Sequence, residues 1–256
     1  DHKALQGATS HYFGDKFSRA YNVTFTGRDN KVQYPFQTSW GSTTRMIGAV
    51  IMAHGDNNGL VLPPKIAPIQ VIVLPIAQHK PGVLEKAQEL VDRLAKLGLR
   101  VKGDFTDNSP GWKFANWEMK GVPLRIEIGP KDLEQNQCCM VRRDNREKAF
   151  APLAQLEQSA ASLLDAVHKG LYQRAKKNLE EHTYEAHSLE EARALQQEHG
   201  GFIKTMWCES PECEARMKEE AGMTSRCMPF QQEHLDDVCP ICGKPAKKMI
   251  YWGVAY

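Results

Sequence analysis

The chain has 256 residues, of which 41% are hydrophobic and 25% are charged, and its formal net charge is +2. This composition is typical of a globular protein of one or two domains and excludes intrinsically disordered and low-complexity classes. Because the charge is nearly balanced, any nucleic-acid surface must be a local patch. The longest apolar run, around residues 66–76, is too short and too interrupted by proline to span a bilayer, so no membrane partner is expected.

The first 65 residues predict a small antiparallel sheet that leads into a helix. Apolar and polar residues alternate over residues 21–25 and 32–38, and residues 6–11 form a polar loop before them. Thr43 or Thr44 caps a helix whose apolar run we expect to be buried. A helix N-terminus with Arg45 beside it suits a phosphate group, although many ordinary capped helices begin in the same way.

Residues 66–165 predict a compact α/β domain. A nearly continuous apolar run over residues 69–76 is typical of a buried strand, and the apolar residues of 83–97 recur at helical spacing. Further strands are expected at residues 99–101, 124–128 and 138–141, with Cys138 and Cys139 in the core. Strands that alternate with a helix in this way predict a mixed sheet.

Residues 110–132, PGWKFANWEMKGVPLRIEIGPKD, combine three aromatic and four basic side chains in one short segment. Aromatic faces beside lysine and arginine suit stacking on unpaired bases and contact with phosphate, and a carboxylate such as Glu118 can accept hydrogen bonds from a base edge. The segment therefore predicts an RNA contact. Taken alone, the pattern agrees equally well with Trp112, Phe114 and Trp117 covering the edge of a sheet.

Residues 166–256 predict helices followed by a metal site. The helical pattern that starts near residue 152 is followed by a second helix, which the capping box Ser188-Leu189-Glu190-Glu191 announces. The pairs Cys208-x4-Cys213 and Cys239-x2-Cys242 can supply four thiolates to a tetrahedral ion. We therefore expect a structural Zn²⁺ rather than four unrelated buried thiols.

The cysteine count indicates the compartment. Seven cysteines, an odd number, favour reduced thiols over a secreted disulfide framework, so we expect a cytoplasmic protein. Cys227 lies between the two pairs, and its apolar neighbours predict burial as a small hydrophobic residue. The chain begins at Asp1 without a methionine or the apolar core of a signal peptide, and we expect it to be cut from a longer protein.

Five segments, in this order, resemble prolyl-tRNA synthetases of the type found in archaea, eukaryotes and some bacteria. Residues 6–11 resemble the QGxTSH segment of that family, residues 38–48 its class II motif 3, and residues 59–68 the bridge into its anticodon-binding domain. Residues 110–132 resemble its anticodon-reading stretch, and the four paired cysteines resemble its C-terminal zinc domain. Motif 3 alone is moderately specific, whereas the five segments together are highly specific.

The resemblance implies an α/β (α+β) fold of three parts. Residues 1–65 would end an antiparallel class II catalytic core, residues 66–165 would form a mixed-sheet anticodon-binding domain, and residues 166–256 would form a helical connection with a small zinc-binding α/β domain. It also implies a proline--tRNA ligase, in which L-proline and ATP with Mg²⁺ form prolyl-adenylate and the prolyl group passes to tRNA(Pro). Motifs 1 and 2 are missing, so we expect an incomplete active site here and a homodimer formed through the missing N-terminal half.

The functional residues of the family carry over onto matching positions of this sequence. Gln6, Thr9, Thr43 and Arg45 would contact ATP; His11, Trp40 and Gly41 would line the proline pocket; Phe114, Glu118, Arg125 and Lys131 would read two anticodon guanines; and Cys208, Cys213, Cys239 and Cys242 would bind zinc. Arg45 and His11 are the catalytic candidates. His11 agrees equally well with a histidine packed under a loop.

Two other interpretations stay open at the level of the sequence. One is a non-catalytic tRNA-binding or accessory protein that retains the anticodon-binding and zinc-binding parts. The other is a different class II synthetase with a similar anticodon domain, such as a threonyl or glycyl enzyme. The cysteine-bearing C-terminal segment and the PGWKF sequence argue against this last interpretation.

Overall fold

A computed structural model describes residues 2–256. They form two compact units, one made of residues 50–177 and the other of residues 2–49 together with residues 178–256. Both units combine helices with sheets that contain parallel and antiparallel pairs, which confirms the predicted mixed α/β character. Within residues 2–256, every helix is too short or too polar to traverse a lipid bilayer.

The N-terminal part of the chain is a small antiparallel arrangement. Its elements are β1 (Ala8–Gly14), α1 (Lys16–Ala20), β2 (Phe25–Thr26), β3 (Val32–Gln33), β4 (Gln37–Ser42) and α2 (Arg45–His54). Strand β1 pairs with β4, and β2 pairs with β3. Antiparallel pairing is confirmed, but the expected loop at residues 6–11 runs into β1, and residues 21–25 lie mostly outside strands. Neither face of β1 is buried, so its sequence lacks the alternation by which a half-buried strand is recognised.

Large apolar side chains of this N-terminal part are exposed. Helix α2 forms as predicted, with the backbone N–H of Arg45 donating to Thr43 Oγ1 at 3.3 Å. The expected burial of α2 is wrong, because none of its residues is buried, and Trp40 on β4 is 83% exposed. Two-stranded sheets and short helices of this size cannot cover each other's apolar surface without a further layer. These apolar side chains therefore have no covering layer among residues 2–256.

Residues 50–177 are built around a five-stranded sheet. The elements are β5 (Val71–Pro75), α3 (Val83–Lys96), β6 (Val101–Gly103), α4 (Pro110–Met119), β7 (Leu124–Ile128), α5 (Pro130–Glu134), β8 (Gln137–Arg142), β9 (Lys148–Pro152) and the first part of α6 (Leu156–Glu181). The strand order is β6-β5-β7-β8-β9, with β5 parallel to β6 and β7 and the remaining pairs antiparallel. The predicted mixed sheet is therefore confirmed. Helix α4 lies within the segment predicted as an RNA contact, whose mixed composition obscures its helical spacing.

The core of this unit lies on both sides of β5, all of whose residues are buried. Val71 and Val73 pack against the apolar face of α3, whereas Ile72 and Leu74 pack against Trp117 of α4. Cys138 and Cys139 are buried in β8, as predicted. The sheet is thus covered by helices on both faces, which explains why the sequence of β5 is continuously apolar.

The aromatic side chains of residues 110–132 have different surroundings. Trp117 is 6% exposed and belongs to the core, whereas Trp112 is 52% exposed. Phe114 is partly buried and packs against the same core cluster as Trp117. Trp117 therefore covers the sheet, whereas Trp112 is accessible to a ligand.

Residues 178–256 contribute a four-stranded sheet. Its elements are β10 (Thr183–Glu185), α7 (Leu189–His199), β11 (Phe202–Trp207), α8 (Pro211–Ala221), β12 (Thr224–Cys227) and β13 (Lys248–Gly253), with strand order β10-β11-β13-β12. The predicted cap of α7 is confirmed, since Ser188 Oγ accepts from the N–H of Glu191 at 3.1 Å. The expected burial of Cys227 is wrong. It is exposed because β12 is an edge strand.

A buried polar network joins the end of β6 to α4. Trp117 Nε1 donates to Asp104 Oδ2 at 2.7 Å, the hydroxyl of Thr106 donates to Asp104 Oδ1 at 2.6 Å, and Lys113 Nζ donates to the carbonyl oxygen of Asp104 at 3.0 Å. Burial acts to raise the pKa of Asp104. The hydrogen bonds from Thr106 and Trp117 and the charge of Lys113 outweigh that effect, so the pKa lies below its ordinary value.

Replacing Asp104 with alanine should destabilise this unit by about 1–3 kcal/mol, because the buried indole N–H of Trp117 loses its acceptor and the buried ammonium of Lys113 loses a nearby negative charge. Since its pKa is lower in the folded chain, the contribution of Asp104 is full above the ordinary carboxyl pKa and disappears as the pH falls through the folded value. Amide hydrogen exchange in β5 and β7 measures the loss. Asp92→Ala, on the exposed side of α3, is the control, and an equal effect of both substitutions would contradict this role of Asp104.

Candidate functional site

Three of the four residues predicted to read guanines lie together. Phe114 and Glu118 are four residues apart on α4 and share one face of that helix. The guanidinium of Arg125, on β7, lies 4.1 Å from the centre of the Phe114 ring, and its Nη1 donates to Glu118 Oε1 at 2.7 Å. Its Nε donates to Glu127 Oε1 at 2.8 Å. These four residues are called the Arg125 cluster below.

The Arg125 cluster contains two carboxylates and one guanidinium, which orient each other. The side chain of Arg125 is only 11% exposed, whereas that of Glu118 is 29% exposed. Within the described part of the chain, Nη2 of Arg125 makes no hydrogen bond, so donors remain beside the accepting oxygens of Glu118. Such a set complements a base edge that presents donors next to an acceptor.

Lys131, the fourth predicted residue, does not join the Arg125 cluster. It is exposed on α5, and no hydrogen bond or ion pair links it to the cluster among residues 2–256. Helix α5 directly follows β7, and its start is held by the N–H of Gly129, which donates to Asp132 Oδ2 at 2.9 Å. Lys131 is therefore a solvent-exposed cation that follows the strand of Arg125.

Arg143 and Asp56 adjoin this site and do not appear among the predicted residues. Arg143 donates from Nη1 and Nη2 to the two carboxylate oxygens of Asp56, each at 2.7 Å, and from Nε to the carbonyl oxygen of Glu118 at 2.9 Å. The hydrogen bonds from Arg143 hold the pKa of Asp56 well below its ordinary range. The sequence contains one indication, the pair Arg142-Arg143 at the end of an apolar strand, where a buried cation needs a partner.

A concave surface in the N-terminal part collects the four residues predicted to bind ATP. Its lining residues are Gln6, Gly7, Ala8, Thr9, Gly41, Ser42, Thr43 and Arg45. Arg45 Nη1 donates to Gln6 Oε1 at 3.4 Å, and Thr43 accepts from the backbone N–H of Arg45 at the start of α2. A guanidinium at a helix N-terminus, facing an open hollow, suits an anionic phosphate.

The register of β1 and β4 separates the residues predicted to line a proline pocket. His11 lies opposite Ser39, and Trp40 lies opposite Ser10. Opposed residues of an antiparallel pair share a face, and successive residues alternate, so His11 and Gly41 share one face and Trp40 projects from the other. A pocket that includes all three residues must therefore extend around the edge of this sheet.

The four paired cysteines converge in the C-terminal part. Their sulfur atoms all lie within 4.8 Å of one another, and Cys208 Sγ is 3.6 Å from the Sγ atoms of both Cys213 and Cys242. A tetrahedral zinc site with bonds of about 2.3 Å places its sulfurs about 3.8 Å apart. A hydrogen bond from the backbone N–H of Lys244 lowers the pKa of the Cys242 thiol to about 7, whereas burial raises the pKa of the Cys208 and Cys213 thiols. Four thiolates this close together therefore need a bound cation to offset their charge. With Cys239, this donor set fits a metal ion.

Two family models match parts of the chain. The model described as "Anticodon binding domain" matches residues 70–163, which include the Arg125 cluster. The model described as "Prolyl-tRNA synthetase, C-terminal" matches residues 189–256, which include all four converging cysteines. The Arg125 cluster and the four cysteines therefore lie in segments that these models match, whereas the hollow around Arg45 lies outside both.

Curated relatives match the whole chain. It is 55% identical over 256 residues to "Proline--tRNA ligase" of Clostridium novyi and of Lachnoclostridium phytofermentans, and to "Proline--tRNA ligase 2" of Bacillus cereus. Each alignment covers 100% of this chain and 53% or 54% of the relative, so the chain spans about half the length of the curated relatives it matches. The chain therefore belongs to the prolyl-tRNA synthetase family and corresponds to the C-terminal portion of its members.

Proposed function

We propose that the whole protein is a proline--tRNA ligase, which activates L-proline with ATP to prolyl-adenylate and transfers the prolyl group to tRNA(Pro). The Arg125 cluster carries the proposal, because it lies in a segment that matches an anticodon-binding domain and has the groups that a guanine edge requires. In this proposal the chain reads the anticodon and supplies the last part of a class II catalytic domain.

Guanine recognition follows from the chemistry of the cluster. Guanine presents the N1–H and N2–H donors beside the O6 acceptor, so Glu118 accepts from the donors while Arg125 donates to O6 or N7. Adenine has an acceptor at N1, which would face the carboxylate of Glu118 and repel it. Phe114 supports the guanidinium from one side, and Lys131 donates to a neighbouring guanine or a phosphate.

The ATP and proline contacts are assigned to the N-terminal part. Gln6 and Thr9 contact the adenosine of ATP, and Thr43 and Arg45 contact its base and phosphates. A transition state at the α-phosphate gains most from fixed cations and from the Mg²⁺ that accompanies ATP, so Arg45 acts by charge and position. His11 faces the proline. The exposed apolar side chains of β4 and α2 are expected to pack against the remainder of the catalytic domain.

The four cysteines are assigned to a structural Zn²⁺. Four thiolates occupy all the coordination positions of a tetrahedral ion and leave none for a reactant. The ion therefore stabilises the fold and takes no part in the reaction. Cys213 and Cys239 belong to the core that includes Met217 and Trp252. The ion would therefore tie α8 and the turn at residues 239–242 to the end of β11.

The full-length protein should catalyse proline-dependent exchange of pyrophosphate into ATP. Arg45→Ala should lower the rate by about 100-fold or more, because a fixed cation at the phosphates is lost. Threonine or glycine in place of proline should support no exchange. Exchange with either amino acid would indicate a different class II synthetase. Binding of tRNA without any proline-dependent exchange would instead indicate a non-catalytic tRNA-binding protein.

Arg125→Ala should weaken binding of an anticodon stem-loop RNA with two adjacent guanines by about 10–100-fold, since it removes a base contact and leaves two carboxylates uncompensated. The preference over a stem-loop with two adenines should fall, while the slope of log Kd against log salt concentration changes little. Fluorescence anisotropy at several salt concentrations gives both quantities. An equal loss of affinity for both RNAs would contradict base reading by Arg125.

Purified protein should contain about one zinc ion per chain, and Cys208→Ser should lose the ion and lower the melting temperature of the C-terminal part, because folding and metal binding are coupled. Elemental analysis and calorimetry measure the two effects. Cys227→Ser is the matched control, since Cys227 is an exposed thiol outside the cluster. A melt that does not change on zinc removal would contradict the structural role.

A further inference from the structure

Arg143 holds the end of α4 from inside the protein. Its side chain is 2% exposed, and its Nε donates to the carbonyl oxygen of Glu118, which also accepts from the N–H of Gly121 at 3.0 Å. The last carbonyl groups of a helix have no partners within the helix and need donors from outside. Arg143 supplies such a donor at the residue whose side chain pairs with Arg125.

Asp56 fixes Arg143 in turn. The forked pair with both carboxylate oxygens, each at 2.7 Å, defines the plane of the guanidinium and thereby the direction of its Nε–H. Asp56 is itself anchored, because its Oδ1 accepts from the N–H of Asn58 at 2.8 Å in a tight turn. Buried charge, planar geometry and an anchored acceptor leave Arg143 a single orientation.

The chain beyond Asp56 packs directly on the same helix end. The N–H of Leu60 donates to the carbonyl oxygen of Met119 at 3.0 Å. Gly59 has a φ of +122°, and a Cβ there would lie 2.5 Å from Cα of Met119, so the backbones meet without a side chain between them. The final turn of α4 is therefore held at two successive carbonyl groups by one segment and its ion pair.

We propose that Arg143, held by Asp56, is a positioning residue that fixes Glu118 for the reading of a guanine; this inference rests on the proposed function. Glu118 is the penultimate residue of α4, in the part of a helix that frays most readily. A small movement of its backbone would separate the carboxylate from Arg125. Both groups that contact the base would then be misplaced. Arg143 does not contact RNA, because Nε, Nη1 and Nη2 all donate within the protein and the side chain is buried.

The test uses the full-length protein and two anticodon stem-loop RNAs, with two adjacent guanines or two adenines in the loop. Arg143→Lys keeps the charge but removes the Nε donor and the fork. We expect it to lower the preference for the guanine RNA about 10-fold without changing the slope of log Kd against log salt concentration, because no phosphate contact is lost.

Arg142→Lys is the matched control. Arg142 lies next to Arg143 but donates to Asp144 at 2.8 Å, so the guanine preference should change less than about 2-fold. In a Glu118→Ala background, Arg143→Lys should have no further effect on the preference, because its action passes through Glu118. If Arg143→Lys does not fold by circular dichroism, Asp56→Asn removes the ionic fork while it keeps an accepting oxygen.

Specific results would contradict the positioning role of Arg143 or the proposed function. A lower salt slope, an equal effect of Arg142→Lys, or an additive effect in the Glu118→Ala background would overturn the positioning role of Arg143. An unmodified protein without guanine preference would overturn the proposed function and this role with it. A guanine preference that persists in Arg143→Lys would overturn the role of Arg143 alone.

Discussion

The complete burial of β5 is the constraint from which the geometry of residues 50–177 follows. A strand that is buried on both faces needs a covering layer on each side, and α3 and α4 supply those layers. Ile72, on the face that Trp117 covers, lies opposite Arg125 in the parallel pairing of β5 and β7. The packing of Trp117 on Ile72 therefore brings the end of α4, and with it Glu118, next to Arg125.

The buried charged side chains at the end of α4 orient the groups with which they pair. Arg125 and Arg143 are both nearly inaccessible. Two carboxylates compensate Arg125 and one compensates Arg143, which also donates to a carbonyl oxygen. Pairs of this kind contribute little net stability, because desolvation offsets most of the Coulomb attraction. Their geometric demands are strict, however, and a forked arginine fixes the directions of the groups that it holds. The charged side chains of this site are therefore fixed in position, while some of their oxygen and nitrogen atoms stay accessible to a ligand.

Outside residues 50–177, the sheet of β10 to β13 and the β1–β4 pair differ in how they are covered. The sheet of β10 to β13 packs a core that includes Met217, Met249 and Trp252, and two of the converging cysteines belong to that core. The β1–β4 pair has no comparable layer within the described residues, and Trp40 and Ile47 remain exposed. The sheet of β10 to β13 therefore has its own apolar core beside the cysteine cluster. The β1–β4 pair instead has an apolar surface that needs a further layer to cover it.

Local patterns in the sequence were sufficient to predict several elements. The apolar run of β5, the helical spacing of α3 and the Ser188 cap of α7 act over a few residues, and all three are confirmed. The spacing of the cysteine pairs likewise predicted a candidate metal site whose four sulfurs converge. The exposure of Cys227 and α2 was not predictable in this way, because burial depends on which layers surround an element.

The sequence by itself thus determined the mixed α/β character, the family and the residue types of the candidate sites. Only the tertiary structure decided which of those residues meet. Arg125 and Glu118 are brought together by packing across a sheet, and Lys131 remains apart from them. His11 and Trp40 are separated by the pleat of one strand pair, and Asp56 reaches Arg143 across 87 residues of chain. Contacts of this kind depend on the direction of side chains in the folded state, which no spacing along the chain encodes.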